Sequence, residues 1–504
     1  MQTHERYNGI FLPANSQFAG MLNISGGDSI LKIVGTSFIA DPEADALDIH
    51  GILSDGKKAS LIDCVLQRNT RYRLGENTQS ESVYFPHYVV VGEEFISSSE
   101  PVICAVRYHF ENVDRLLSGH KTFRSLLVDK DEVLQILEAD HKHSEKIAKE
   151  HGWQRQPFEP ELGEHPHLVY FSGLWEIVAC QTEIGKISLT NRTSHGMGDA
   201  TGIGIDNEVV ANIEFSEPKT LNAAIHALQV LHGLFELSLG CRQRIRWIEL
   251  ELIHRSPETD SDMPSMVRLY WSLCNDHVKG DPKVSLNDSL LVADRRPEEF
   301  AKVTKEWMNS ANVMGDPRNR FAVAFFGSYS INRIVGAANM FDLLPESHAP
   351  RTREVDPSFK EVASQSRKLF ATLPDSFAKQ SVLSTLGRVG KASLRDKIYH
   401  RAEIVLAVVG DHFPDLFLPC HHAVACRNHY VHGSDRKFDY QENFIEFAFV
   451  TDTLEFVFAM SELIELGWNI KRWMDGGVSM THAFGAYRIN YLRNIQRLKV
   501  LVDK

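Results

Sequence analysis

The spacing of apolar residues changes its period along the chain, and this change constrains the fold more than any other feature of the sequence. Residues 1 to about 110 alternate short apolar runs with turns such as Gly26-Gly27-Asp28 and Ser54-Asp55-Gly56, a pattern typical of short antiparallel strands. From about residue 297 to the end the period is helical throughout. The sequence therefore predicts an α+β multidomain protein, in which a β-rich N-terminal half precedes an all-α helical bundle.

Between these two regions the sequence predicts a mixture of helices and strands. Helical signals span roughly 112–150, strands resume at 167–215, and a further helix and strand cover about 219–238 and 244–253. The polar, turn-rich stretch from Pro282 to Pro297 is a candidate linker. We therefore expect a β-rich region at 1–285, either undivided or broken near 150–165, and a helical domain at 297–504.

The composition is that of an ordinary soluble protein, with 43% apolar and 24% charged residues. Seven cysteines without a Cys-x2-Cys pair suit a reducing cytoplasm, and the start, Met1–Arg6, lacks the apolar core of a signal peptide. The most apolar long segment, Phe444 to Ile464, contains Glu446, Asp452, Glu455 and Glu462. It predicts a buried helix rather than a membrane span.

The net charge of −12 argues against a general nucleic-acid coat protein. An enzyme acting on RNA would need local basic surface instead. Arg242, Arg244 and Arg246 alternate in sequence, so on a strand all three would point to one face. They are candidate RNA-binding residues, and a solvated surface without function is the alternative.

Near the C-terminus one motif combines the residue types that metal-free RNA cleavage needs. It reads Arg427-Asn428-His429-Tyr430-Val431-His432-Gly433. An arginine can grip a phosphate through its rigid fork of donors, and an imidazole can exchange a proton near neutral pH. Arg427 and His432 are therefore candidate catalytic residues, with Asn428 as the accompanying polar residue. Tyr430 could stack on a base or pack in the core.

The same Arg-x4-His spacing occurs at Arg115/His120 and at Arg395/His400. A break at Ser118-Gly119 separates the first pair, and the second lies in a helical pattern whose charged face indicates a solvated surface. Only the copy ending at His432 is followed by a helix stop, which begins at Gly433.

Helical geometry places Arg427 about 140° around the axis from His432. One straight helix therefore cannot aim both side chains squarely at one phosphate. Either the long arginine side chain bends round, or two copies of the motif share a cleft on a two-fold axis. The apolar Phe444–Leu466 segment has more apolar surface than one core face needs, so we expect a spare face that helps to form a homodimer.

Flanking segments resemble a known family. The Arg-Asn-x3-His string lies between an apolar helix, Ile404 to Val409, and the long helix from Phe444 to Leu466, as in the last helices of a HEPN ribonuclease domain. The N-terminal strings are similar to the N-terminal domain of ApeA-type HEPN proteins, which are bacterial anti-phage effectors of abortive infection. These strings are Gly9-Ile10-Phe11-Leu12-Pro13, Phe18-Ala19-Gly20-Met21-Leu22 and Ile30-Leu31-Lys32-Ile33-Val34-Gly35.

The resemblance implies an endoribonuclease that cuts host RNA, with transfer RNA as a candidate substrate, without a metal or another cofactor. By this resemblance, Arg427 and His432 would be catalytic, and the products would carry 2′,3′-cyclic phosphates. The N-terminal half would sense infection through a phage-derived trigger. The alternative is a non-catalytic HEPN module that binds RNA or protein, or only dimerises.

Two further motifs favour less specific interpretations. The glycine-rich string Gly196–Gly204 matches neither Gly-x-Gly-x-x-Gly nor a P-loop, so a loop is favoured over a nucleotide site. The cysteines and histidines near the motif crowd together as zinc ligands would, but Cys420-x5-Cys426 is poor ligand spacing. We therefore expect no metal site there. The crowded residues are Cys420, His421, His422, Cys426, His429 and His432.

Overall fold

The computed structural model describes most of the chain. The described residues are 4–13, 16–35, 47–74, 77–117, 122–154, 161–196, 204–253, 264–275, 278, 284–285, 288–350, 356–387, 389, 391–477 and 479–503. His120 and residues 197–203 of the glycine-rich string lie outside them.

Six antiparallel strands at the N-terminus close into a barrel. They are β1 (Glu5–Leu12), β2 (Phe18–Ile24), β3 (Ile30–Gly35), β4 (Leu47–Leu53), β5 (Lys58–Leu74) and β6 (Asn77–Gly92). Their order is β6-β3-β2-β1-β4-β5, and β5 pairs again with β6 to complete the ring. Apolar side chains that alternate along each strand fill the interior. The ring of Phe11 lies where a Cβ on Gly51 would collide with it.

The barrel continues into a second antiparallel layer through β6. The other strands are β7 (Ile103–Phe110), β8 (Phe123–Leu127), β9 (His167–Phe171), β10 (Glu176–Gln181), β11 (Gly185–His195), β12 (Ile205–Lys219), β13 (Ile245–Leu252) and β14 (Ser265–Trp271). One end of β6 pairs with β3 and the other with β14, and the sheet then runs β14-β13-β7-β12-β11-β10. Strand β7 thus pairs with β12 and β13. Strands that precede residues 150–165 and strands that follow them therefore belong to one sheet.

The helix expected from about residue 112 to 150 is wrong in its first part. A short 3-10 turn covers Val113–Leu116, β8 follows, and helix α1 covers only Lys130–His151. Phe123 pairs across strands with Phe171 of β9, with ring centroids 5.4 Å apart. This partner is distant in sequence, so local periodicity could not reveal the strand.

Helix α2 (Leu221–Leu239) joins the sheet to the helical region. Thr220 accepts a hydrogen bond from the first turn, and Gly240 in the left-handed conformation ends the helix. One side of α2 packs on β7 and β12, and another side packs on α3 (Pro297–Asn309) and α4 (Ala311–Phe325). A single apolar core therefore runs from the sheet through α2 into the helices.

The remaining helices form the predicted all-α region. They are α5 (Ile331–Asp342), α6 (Pro357–Ala371), α7 (Phe377–Gly387), α8 (Leu394–Val409), α9 (Phe417–His432), α10 (Phe444–Glu465), α11 (Ile470–Asp475) and α12 (Ala483–Val502). The architecture confirms the predicted class of a β-rich half followed by a helical bundle. Within the described parts of the chain, no helix combines the length and the apolar character needed to cross a membrane.

Helix α10 lies at the centre of the bundle and is buried around its circumference. The prediction that α10 has a spare apolar face is therefore wrong. Phe447, Phe449, Phe456 and Phe458 are all buried, and the exposed residues of α10 lie at its two ends, Phe444 and Ile445 in the first turn and Glu465 at the last position. Helices α4, α5, α8, α9 and α12 all pack against α10, and together they cover the surface that the sequence appeared to leave free.

His482 links the helical region to α2. Its Nδ1 accepts a hydrogen bond from the backbone N–H of Phe484 at 3.1 Å, which caps α12. Its Nε2 donates to the carbonyl of Leu237 at 3.1 Å, in the last turn of α2. Only the neutral imidazole can make both bonds, and burial lowers the pKa of His482 to about 4.

We expect this histidine to make folding stability depend on pH in mild acid. The imidazole titrates near 6.5 in the unfolded chain and at about 4 in the folded one. The unfolded chain therefore binds the proton first, and stability that is complete above pH 6.5 falls by up to about 3 kcal/mol as the pH drops towards 4. Urea titrations of wild type and His482→Asn across this range measure it. Asparagine retains a capping acceptor without titrating, so equal losses in both proteins would contradict the assignment.

Candidate functional site

The predicted helix stop ends α9 where the sequence analysis placed it. Gly433 adopts a φ of 67°, and its N–H donates to the carbonyl of His429 at 2.9 Å. Buried residues of α9, including Cys420, Ala423 and Cys426, face the bundle. The last turn, with the polar residues of the motif, lies at the end of the bundle.

Arg427 bends towards His432 and contacts it within one chain. Its Nη1 lies 2.8 Å from Nε2 of His432 and donates to Oδ1 of Asn428 at 3.2 Å. A guanidinium has no acceptor, so Nε2 accepts this bond through its lone pair. The arginine side chain therefore bends round the helix to reach His432 of the same chain, which was the first of the two alternatives.

Two residues of α5 hold the other side of the guanidinium, and sequence reasoning missed both. Nη2 of Arg427 lies 3.3 Å from Oδ1 of Asn339 and 3.5 Å from Oδ2 of Asp342. The backbone carbonyl of Asp342 accepts a hydrogen bond from Lys397 of α8 at 2.8 Å. The sequence did contain a signal for them. Asn339 and Asp342 are polar residues three positions apart at the end of an apolar helix, so they share a face.

The two candidate catalytic side chains differ in exposure. His432 is exposed, whereas the Arg427 side chain is only 14% exposed, and its Nε is buried without a hydrogen-bond partner among the described residues. Arg427 is therefore largely enclosed, whereas His432 is open to solvent. Asn339 and Asp342 confine the guanidinium between α5 and α9, so its orientation is set before any ligand binds.

The rival pairs do not form a comparable site. Arg395 is exposed on α8, and among the described contacts no hydrogen bond joins it to His400. Arg115 forms an ion pair with the adjacent Asp114 at 3.4 Å, and its partner in the motif lies outside the described residues. Among the described residues, the Arg427 copy is the one whose arginine and histidine are in contact.

Tyr430 lies in an aromatic cluster beside the site. Its ring centroid is 5.6 Å from that of Tyr440 and 5.2 Å from that of His429. Burial raises the pKa of the Tyr430 hydroxyl. His429 is held in turn by a 2.7 Å bond between its Nδ1 and the carbonyl oxygen of Ser434. The geometry matches the packing alternative, and base stacking by Tyr430 stays a prediction.

The three candidate RNA-binding arginines near β13 are paired with carboxylates. Arg242 donates to Glu236 at 2.6 Å, and both Arg244 and Arg246 contact Glu111. Arg242 and Arg244 precede β13, which begins at Ile245, so the three residues do not alternate along one strand as expected. Their carboxylate partners offset their charge, and RNA binding by these residues stays a prediction.

The cysteines and histidines of α9 do not converge on one point. Burial raises the pKa of the Cys420 and Cys426 thiols to about 12 each, and it lowers the pKa of His422 to about 4. Thiols that stay protonated are poor zinc ligands. Among the described residues, no group of three or more histidine, cysteine or acidic side chains could hold a metal ion.

Comparisons with known proteins agree with this architecture. The family model for ApeA N-terminal domain 1 matches residues 6–307, and the model for Apea-like HEPN matches residues 335–471. No curated protein and no solved structure matches the chain. The second match contains Asn339, Asp342 and the whole motif from Arg427 to His432. Since the first match alone covers more than half of the 504 residues, the chain belongs to the ApeA-like HEPN family of anti-phage proteins.

Proposed function

We propose that this protein is a cytoplasmic, metal-independent endoribonuclease of anti-phage defence, which cuts host RNA, with transfer RNA as a candidate substrate. The observation that carries the proposal is the 2.8 Å contact between Arg427 Nη1 and the exposed imidazole of His432. This contact joins a guanidinium, which can bind a phosphate, to an imidazole, which can transfer a proton. HEPN domains are generally nuclease-like, and the match to that family includes both residues.

The proposed reaction uses the 2′-hydroxyl of the RNA itself. Its oxygen attacks the adjacent phosphorus while the P–O5′ bond breaks, which gives a 2′,3′-cyclic phosphate and a 5′-hydroxyl. An imidazole takes the proton from the 2′-oxygen, and an imidazolium gives one to the leaving 5′-oxygen. Arg427 stabilises the negative charge that accumulates on the phosphorane oxygens. DNA lacks the 2′-hydroxyl and would not react.

In the proposed reaction, the contact between Arg427 and His432 changes when an RNA phosphate binds. The lone pair of His432 Nε2 is occupied by Arg427, so the imidazole cannot accept a proton while this bond persists. An incoming phosphate competes for the same guanidinium with two oxygens. Once Arg427 turns to the phosphate, Nε2 is free to act. Asn339 and Asp342 retain the other end of the guanidinium, so it needs to rotate only slightly.

We expect His432→Ala and Arg427→Lys each to reduce RNA cleavage by about 10²–10⁴-fold. Lysine keeps the charge of Arg427 but loses the fork of donors. Cleavage is followed on total RNA and transfer RNA in EDTA, with the products tested for cyclic phosphate ends. His400→Ala, from the rival pair, is the matched control and should cut normally. Activity that requires added metal, or loss in His400→Ala but not in His432→Ala, would refute the assignment.

Folding of the variants separates chemistry from structure. His432 is exposed at the end of α9, so His432→Ala should change the free energy of unfolding by no more than about 0.5 kcal/mol. Urea titration measures this value. If the non-catalytic alternative is correct, both site variants will still bind RNA or dimerise like wild type. In that case neither the wild type nor the variants will arrest growth when overproduced. Growth arrest that depends on Arg427 and His432 favours the enzyme.

We further propose that the active form is a homodimer joined through the helical region. With α10 buried, the support comes from α6 and α7, which pack on each other and contain no buried residue. They expose Phe359, Leu369 and Phe377, the last at 89%. This hairpin lies in sequence between Asp342 and α8, both at the site. An apolar surface of this kind is typical of a protein interface.

The double variant Leu369→Ser/Phe377→Ser should shift the protein from dimer to monomer and lower cleavage with it, because it removes apolar surface from the interface. Light scattering measures the mass. Val323→Ser is the control, since Val323 is 64% exposed on α4 and does not belong to the hairpin. Mixing Arg427→Ala chains with His432→Ala chains should restore part of the activity in a shared site. An active protein with the mass of one chain would rule the dimer out.

A further inference from the structure

A cavity lies where the β-rich half meets the helical region, between α2 and α4. Its volume is about 370 Å³, within the range of small-molecule sites. Its aromatic lining comes from both halves. These residues are Trp271 of β14, Trp307 of α3, Phe321 of α4 and Phe326, which follows α4. It lies apart from the motif at Arg427, none of whose residues contributes to its wall.

Two glycines in helix interiors keep the cavity open. Gly233 of α2 and Gly315 of α4 both line it, and a Cβ added to either would meet no atom within 4 Å. Neither glycine has a positive φ, so the backbone conformation does not require glycine at these positions. Glycine weakens a helix interior relative to alanine. Its presence in both walls therefore indicates that the space between them is used.

The two arginines of the wall are each paired with a carboxylate. Arg242 pairs with Glu236 at 2.6 Å, and its guanidinium lies 4.5 Å from the ring centroid of Phe326. Arg318 pairs with Glu462 at 2.5 Å. With each cation already offset by a carboxylate, the cavity does not favour a phosphate or another anion. The Arg242–Glu236 pair instead presents a donor and an acceptor side by side next to an aromatic ring.

We propose that this cavity binds an uncharged nucleoside. Aromatic side chains suit a flat heterocycle. The Arg242–Glu236 pair complements the adjacent acceptor and donor on the edge of a base. The amides of Gln229 and Asn319, which are exposed on α2 and α4, can bond further polar groups of the ligand. A free nucleoside matches these features better than a nucleotide, whose phosphate would find no unpaired cation in the wall.

Contacts link this cavity to the proposed catalytic site, and this part of the inference rests on the proposed function. Arg318 in the wall shares Glu462 with Arg401 of α8, at 3.3 Å from Arg401. One turn earlier on α8, Lys397 donates to the carbonyl of Asp342, whose carboxylate contacts Arg427. A ligand that moves α4 relative to α2 would thus bias the helices that hold Arg427.

Calorimetry on the full chain tests binding without reference to activity. The probes are adenosine, guanosine, cytidine and uridine, each compared with its 5′-monophosphate. Gly315→Leu fills the cavity from α4 and should weaken nucleoside binding at least about tenfold. Val323→Leu, on the exposed side of the same helix, should leave it unchanged. Because leucine favours the helix, Gly315→Leu should melt no lower than wild type, which separates a filled cavity from a failure to fold.

The outcomes distinguish this inference from the proposed function. Nucleoside binding that Gly315→Leu weakens and Val323→Leu preserves supports it. Absence of binding by all four nucleosides, equal binding by Gly315→Leu, or binding of the monophosphates alone would overturn it. RNA cleavage that responds to the bound nucleoside in wild type but not in Gly315→Leu supports the coupling. If the nucleoside binds but no RNA is cleaved under any condition, the proposed function is refuted. The assignment of a nucleoside to the cavity would still stand.

Discussion

The pairing of buried carboxylates on α10 with arginines from the helices around it is the constraint on which the helical region depends. Glu455 receives two bonds from Arg333 of α5, at 2.9 and 2.7 Å. Glu462 lies between Arg318 of α4 and Arg401 of α8, and the Arg401 side chain is fully buried. A buried charge that loses its partner costs about 3–5 kcal/mol. The helices can therefore pack around α10 in very few registers.

The same pairs position the candidate site. Arg333 anchors α5 to the centre of the bundle, and α5 ends at Asp342, which contacts the guanidinium of Arg427. Arg401 anchors α8, which places Lys397 on the carbonyl of Asp342. The cluster at the end of α9 thus depends on ion pairs in the core. Side chains preorganised in this way need little rearrangement to act on a bound phosphate.

The two halves of the chain share one core, and this limits how a signal could pass between them. Helix α2 packs on the sheet and on α3 and α4 at once, and the indole of Trp307 donates to the carbonyl of Val230 within α2 at 2.8 Å. His482 ties the end of α2 to α12. A sensor in the β-rich half would therefore act on the proposed nuclease site by displacing α2, because the described core offers a continuous path there.

The sequence by itself determined the class of fold, the stop at Gly433 and the choice of the Arg427/His432 motif over its two rivals. These depend on periodicity, helix termination and residues five positions apart, which are all local. It could not identify the strand at Phe123–Leu127 or the enclosure of α10, since these depend on partners far along the chain. The tertiary structure alone decided that Asn339 and Asp342, 88 and 85 residues before Arg427, hold its guanidinium. Local sequence fixes which side chains share a helix face, whereas only the packing of α5 against α9 fixes which groups meet across it.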